Sequence, residues 1–270
     1  MQQHPAPCGV ISLLTDFGLS DPFVGIMHGV ILATFRGASV VDLCHGIAPQ
    51  SIAEGSFWLE RSYVSFPPGS VHVAVVDPTV GSTRRIVALA ADGHYFIAPD
   101  NGLLPAALLE HPRAELREVD VDRLGIAAPS ATFHGRDVFA PIAARLASGA
   151  LAFSALGAAT TAEPALLERP TRGADGVEGV VVTVDRFGNL ITNIERELLV
   201  ASGARSAHLE GHAVPVRRTY ADVEPGELLA LINAFGVLEV AVRDGSAERR
   251  LGLGRWTRVN LPLGSRPLRV

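Results

Sequence analysis

The stretch VVDPTVGSTRR, Val75 to Arg85, runs an apolar segment into Asp77, turns through Pro78 and Gly81, and returns with two arginines. A carboxylate and a guanidinium on either side of such a turn form either a solvated structural pair or a holder for a small polar molecule. Three further segments carry similar chemistry: TDFGLSD supplies Asp16 and Asp21, FHGRD supplies His134, Arg136 and Asp137, and DRFGN supplies Asp185 and Asn189. Taken singly, these are turn formers and helix caps. Taken together they are several acceptors, one imidazole and three guanidiniums, a set able to orient a nucleophile and to hold hydroxyl or ammonium groups.

Composition narrows the chemistry. All 23 basic residues are arginine, which excludes a Schiff-base lysine and a phosphate-loop lysine. No GxSxG, GxGxxG or HExxH pattern occurs, so the main supports for an α/β-hydrolase, a standard dinucleotide fold and a zinc protease are missing. A net charge of −5 argues against a nucleic-acid surface. Cys8 and Cys44 read as reduced thiols, and Cys44 beside His45 lacks the partner spacing of a metal site. No cofactor or metal is expected, and a small molecule is the expected partner. The apolar runs are too short or too interrupted to span a membrane, and MQQHPAPCG has no secretory character, so the expected location is cytoplasmic.

The elements that must position these residues follow from periodicity. GVISLL, SVVDL and SVHVAVVD read as strands separated by two helices. The first helix has Asp21 as its cap and Phe23, Ile26, Met27, Val30, Ile31 and Phe35 on one face; the second opens with a capping box at Ser51 and Glu54. Alternating strands and helices imply parallel strands, with ligands beyond their carboxyl ends, where Asp16 and Asp77 lie. Asp92-Gly93 between apolar runs reads as a hairpin, making the sheet mixed. A helix follows from about Asp137, with His134 just ahead of it. The expectation is an α/β domain over residues 1–155, a mixed, largely parallel sheet with helices on both faces; a linker at 156–175; and a smaller all-β barrel or sandwich at 176–270.

TDFG…D, DPTVGSTRR, FHGRDVFAP and DRFGNLITN, in this order and covering nearly the whole chain, resemble the S-adenosyl-L-methionine (SAM) hydrolases, also called SAM hydroxide adenosyltransferases, relatives of the fluorinating and chlorinating enzymes. The resemblance implies an α/β domain followed by a β domain, and trimers, sometimes paired, with sites between subunits. It implies that Asp77, Arg84 and His134 handle the attacking water, that Asp16 grips the ribose diol, and that Asp21 and Asp185 face the methionine amino group. Phe187 and Asn189 would hold the adenine, with Gln50 and Phe235 also lining the substrate site. A fluorinase has Tyr, Thr, Trp and Ser where this chain has Asp77, Val80, Gln50 and Gly135, and hydroxyl side chains at Phe23 and Ala234. A carboxylate at 77 is expected to repel a halide, by about 4 kcal/mol for unit charges in close contact at a protein-surface dielectric. The implied reaction is therefore in-line attack of water or hydroxide on the ribose 5′ carbon, giving adenosine and L-methionine. The rival readings are a halogenase and a sensor that binds SAM without turning it over.

Overall fold

The computed structural model describes residues 4–127 and 130–264, and the chain divides into two compact units, Met1–Leu167 and Glu168–Val270. The first unit runs β1 (Val10–Thr15), α1 (Phe23–Thr34), β2 (Ser39–Cys44), α2 (Ile52–Ser62), β3 (Val71–Val75), β4 (Ile86–Ala91), β5 (His94–Pro99), α3 (Ala106–Leu109), β6 (Glu115–Glu118) and α4 (Ala140–Ala147). The sheet order is β2-β1-β3-β5-β4-β6. β1 pairs in parallel with β2 and β3, and β3 with β5, while β4 runs antiparallel to both neighbours. The reversal is made at Asp92 and Gly93, whose φ angles of 47° and 80° give the hairpin its tight primed turn.

Alternation along the strands divides the core into two layers. Ile11, Leu13, Val71, Val73 and Val75 pack with Met27 and Ile31 of α1 and with Ile142 and Leu146 of α4. Leu14, Ala74 and Val76 point the other way, onto Leu59 of α2 and Leu108 of α3. Both faces are covered, which is why β1 and β3 read as continuous apolar runs. Each such buried aliphatic side chain contributes roughly 1.5–3 kcal/mol.

The helix starts depart from expectation. Asp21 does not cap α1: Pro22 occupies that position, no side chain caps the helix, and Asp21 is exposed. The buried stripe is Val24, Met27 and Ile31, while Phe23 and Ile26 face outward; a helix apolar on nearly every side does not reveal its inner face by periodicity. At α2 the capping box is not formed, because Ser51 makes no side-chain cap and the buried Glu54 instead accepts from the Ala48 N–H at 3.2 Å. The helix expected from Asp137 opens with a π-helical turn, Gly135–Phe139, before α4. Of the segment expected to link the domains, residues 156–167 belong to the first unit, where Glu118 and Thr160 N–H groups donate to Ala158 and Leu116 carbonyls.

The second unit runs β7 (Thr171–Arg172), β8 (Gly176–Val184), β9 (Leu190–Glu195), α5 (Arg196–Ser202), β10 (Ser206–Leu209), β11 (His212–Pro215), β12 (Leu228–Ile232), β13 (Val237–Val242), α6 (Ala247–Leu251) and β14 (Arg258–Pro262). Its strands follow the antiparallel path β11-β10-β14-β8-β9-β13-β12, with β7 also on β8. The two ends of the path meet where Val216 bridges Ala230 and Arg217 N–H donates to the Ala230 carbonyl at 2.8 Å. That contact nearly closes a barrel and protects its edges, around a core that includes Val181, Leu190, Ile194, Leu238 and Val259. Among the described residues no helix is long and apolar enough to cross a membrane.

Candidate active site

Asp77 leaves the carboxyl end of β3, and its side chain is only 3% exposed. Arg84 Nε donates to Asp77 Oδ2 at 2.7 Å and Arg84 Nη2 makes a second, very short contact with the same oxygen. Asp77 Oδ1 accepts from the Thr79 N–H and hydroxyl at 3.3 and 3.1 Å, bonds that shape the turn. Gly81 completes it: its φ is +81°, and a Cβ there would lie 2.5 Å from the Ala131 carbonyl oxygen, so the loop packs directly on the segment leading to His134.

Arg84 Nη2 also donates to His134 Nδ1 at 2.9 Å. A guanidinium has no lone pair to offer, so Nδ1 must be the unprotonated nitrogen and Nε2 carries the ring proton. Burial, then the Arg84 charge, hold His134 below the ordinary imidazole range, with Asp77 and Asp137 pulling the other way. The structure thus brings Asp77, Arg84 and His134 into one hydrogen-bonded chain. Arg84 and His134 line a cleft of about 620 Å³ with Arg85, Glu118, Asp120 and Asp122.

The other two arginines in these motifs are committed elsewhere. Arg85 donates to Asp100, to the Thr160 hydroxyl and to the Thr161 carbonyl. Arg136 forms a forked pair with Asp137, Nε to Oδ1 at 2.6 Å and Nη2 to Oδ2 at 3.0 Å; that pair holds Asp137 below the usual carboxylate range. Pairing with Arg84 means that Asp77 is not a bare charge; it keeps the capacity to accept hydrogen bonds, which water can donate and a halide cannot.

Asp16 follows β1, at the same end of the sheet as Asp77. Its Oδ2 accepts the Gln50 N–H at 2.8 Å. Gln50 holds φ at +64°, a left-handed conformation costly for a side chain with a Cβ, which places residue 50 where strained backbone often serves a site. Nearby, Phe17, Phe23 and Phe133 meet edge to face at 5.2–6.1 Å. Asp21 lies exposed on the turn before α1.

In the second unit Asp185 organises its own turn: Oδ1 accepts the Phe187 and Asn189 N–H groups and Oδ2 accepts the Asn189 amide, each at 2.9 Å. Asn189 is buried, and Phe187 is 75% exposed. Both line a cavity of about 500 Å³ with Tyr220, Asp244 and Arg249. The sequence reading did not select Tyr220; its local signal was the Thr219–Asp222 capping box that orders the turn. The Tyr220 hydroxyl donates to the buried Glu239 carboxylate, and burial followed by that contact pushes the phenol pKa up. Phe235 is part-exposed on the turn before β13, its N–H donating to Asn233 Oδ1 at 2.9 Å.

Comparison with known proteins matches both halves of the chain. Residues 11–157 match the SAM hydroxide adenosyltransferase N-terminal domain and residues 179–260 match the C-terminal domain. The chain is 42% identical over 259 residues to the (R)-S-adenosyl-L-methionine hydrolase of Thermus thermophilus, covering 93% of this chain and 98% of that protein. A fluorinase from Actinopolyspora mzabensis is 28% identical, covering 86% and 90% of the two chains. Among solved structures, an uncharacterized conserved protein from Thermotoga maritima superposes with a TM-score of 0.86 at 33% identity, covering 93% of this chain and 99% of that one. With both domains matched in order, the chain belongs to the SAM hydroxide adenosyltransferase family.

Proposed function

We propose that this protein hydrolyses S-adenosyl-L-methionine to adenosine and L-methionine, with water attacking the ribose 5′ carbon in line with the departing sulfur. The sulfonium leaves as a neutral thioether, so no general acid is needed, and one proton is released per turnover. The observation that carries the reading is the chain Asp77–Arg84–His134. Arg84 occupies His134 Nδ1, which leaves His134 a donor and Asp77 the acceptor of the three. A water between them donates to Asp77, displacing the longer Thr79 contacts, and its remaining lone pair is free to attack. An ordinary carboxylate is too weak to make hydroxide beforehand, so proton transfer to Asp77 is late. Placement of the water supplies several kcal/mol by orientation alone.

The rest of the site follows the same reading. Asp16 accepts the ribose 2′ and 3′ hydroxyls, Gln50 borders the sugar, and Asp21 and Asp185 attract the methionine ammonium. Phe187 packs on the adenine, Asn189 hydrogen-bonds it, and Phe235 adds an apolar contact to the substrate. The working form is a homotrimer, or a pair of trimers, with sites between subunits, and it acts in the cytoplasm without metal or cofactor.

The test is chromatography of products from pure protein and SAM, with and without chloride and fluoride. Adenosine and methionine in equal amounts, indifferent to halide, are expected. A 5′-halogenated nucleoside, or substrate recovered intact on the protein, overturns the assignment.

A further inference from the structure

His45 is buried, titratable and absent from the mechanism above, yet it sits beneath the Asp16 turn. Its Nε2 approaches Asp42 Oδ1 at 3.0 Å and its Nδ1 approaches the Thr15 hydroxyl at 2.8 Å. The Thr15 Oγ1 in turn accepts the Phe17 N–H at 3.2 Å, and the His45 backbone carbonyl accepts the Gly18 N–H at 2.8 Å. His28 Nε2 reaches the same Asp42 oxygen at 2.7 Å.

With neutral rings these bonds are mutually consistent. Asp42 accepts, so both histidines present Nε2–H to it; His45 Nδ1 in that form is a lone pair and accepts the Thr15 O–H; Thr15 oxygen is left to accept from Phe17. A bulge makes this geometry possible. The register between β1 and β2 shifts between Leu13 and Leu14, which face Asp42 and Cys44. In a regular strand Asp42 and His45 point to opposite faces, and the extra residue reverses that parity and re-aims the side chain. Thr15 and His45 are 0% and 4% exposed, so each polar atom in this chain depends on the next for its partner.

We infer that the Asp42–His45–Thr15 relay is a positioning device for the Asp16 carboxylate. It grips the turn on both flanks, at Thr15 through the ring and at Gly18 through the carbonyl, while the Gln50 N–H fixes one carboxylate oxygen from outside. With Oδ2 so fixed, the orientation of Oδ1 is set, and a diol meets an acceptor that does not have to be ordered on binding. The inference rests on the proposed role of Asp16 as the diol-binding group.

The test measures binding of adenosine and of 2′,3′-dideoxyadenosine to the intact protein by calorimetry, in the wild type and in Thr15→Val, Thr15→Ser and Asp42→Ala. The wild type is expected to prefer adenosine by on the order of tenfold or more, as for a hydrogen bond to a charged group. Thr15→Val, similar in size without the hydroxyl, should shrink that preference to within about threefold, and Thr15→Ser should restore it. A general loss of stability weakens both ligands alike and leaves the ratio unchanged. Asp42→Ala removes a side chain that is itself 43% exposed but takes the partner from the buried His45 Nε2, and should lower the ratio in the same direction. A wild type without preference overturns the role of Asp16 itself. A wild-type preference that survives in both Thr15→Val and Asp42→Ala overturns the relay.

Discussion

Replacing Asp77 by Asn keeps the shape of the side chain and removes its charge. Arg84 and Asp77 side chains are 7% and 3% exposed, with two guanidinium nitrogens on one carboxylate oxygen. Removing one partner of such a buried pair costs about 3–5 kcal/mol, because the other charge is left without compensation. Asn still offers an amide oxygen to Arg84, so the lower end of that range applies. At about 2–4 °C per kcal/mol for a chain of this size, the melting temperature should fall by roughly 6–12 °C. The rate should fall further, since loss of the acceptor for the water proton removes on the order of 10²–10⁴ in turnover. The assay is kcat by product chromatography well below the melting transition, with adenosine affinity measured alongside to show an intact site. A cycle with Arg84→Met separates the two effects: if the residues act as one unit, the double variant is little slower than Asp77→Asn alone. Turnover within tenfold of wild type, or rate losses that simply add, would refute the reasoning.

Two further outcomes follow. Because burial and the Arg84 charge lower the His134 pKa, its neutral form persists below the ordinary imidazole pKa of about 6.5; the acid limb of kcat/KM should lie below that value and move upward in Arg84→Met, and a limb that does not move counts against the assignment. In the core, burial and then His94 push His72 down to about 3. A depressed folded pKa means stability is fully present above the unfolded value and is lost as pH falls toward the folded one, by up to about 1.4 kcal/mol per pH unit; His72→Gln should flatten the fall in melting temperature below about pH 6.5, and an unchanged slope would assign the loss to other groups.

Much of this architecture was legible in short segments. The β4–β5 hairpin was readable because only a few residue pairs tolerate two successive positive φ angles, and Asp92-Gly93 is one of them. The placement of Asp16 and Asp77 at one end of the sheet followed from strand order alone. The cap of α1 was misread because Asp21 and Pro22 fit several local geometries, and tertiary packing chose among them. The divergence of Arg84 from Arg85 was not legible, since their partners, His134 and Thr160, lie 50 and 75 residues away. Barrel closure at Val216 and Ala230, and the bulge that turns His45 toward Asp42, belong likewise to long-range pairing that composition does not record. Tyr220 was overlooked because an aromatic in a polar turn has no period to announce it.

The opposed arginines have a consequence for how this loop can change. Arg84 points to Asp77 and His134, and Arg85 to Asp100 and Thr160, because neighbouring residues on an extended backbone face opposite ways. Their directions are set by the strand they lead into, where Ile86 pairs with Pro99, so a slip of β4 by one residue against β5 reverses parity and exchanges the duties of the two guanidiniums. One would then turn away from Asp77 and His134 while the other lost its hold on the segment near Thr160. Within Pro78–Thr83 variation should therefore be confined, Gly81 being held by its positive φ and the Ala131 carbonyl and Thr79 by its bonds to Asp77, while the pairing register of β4 should stay fixed.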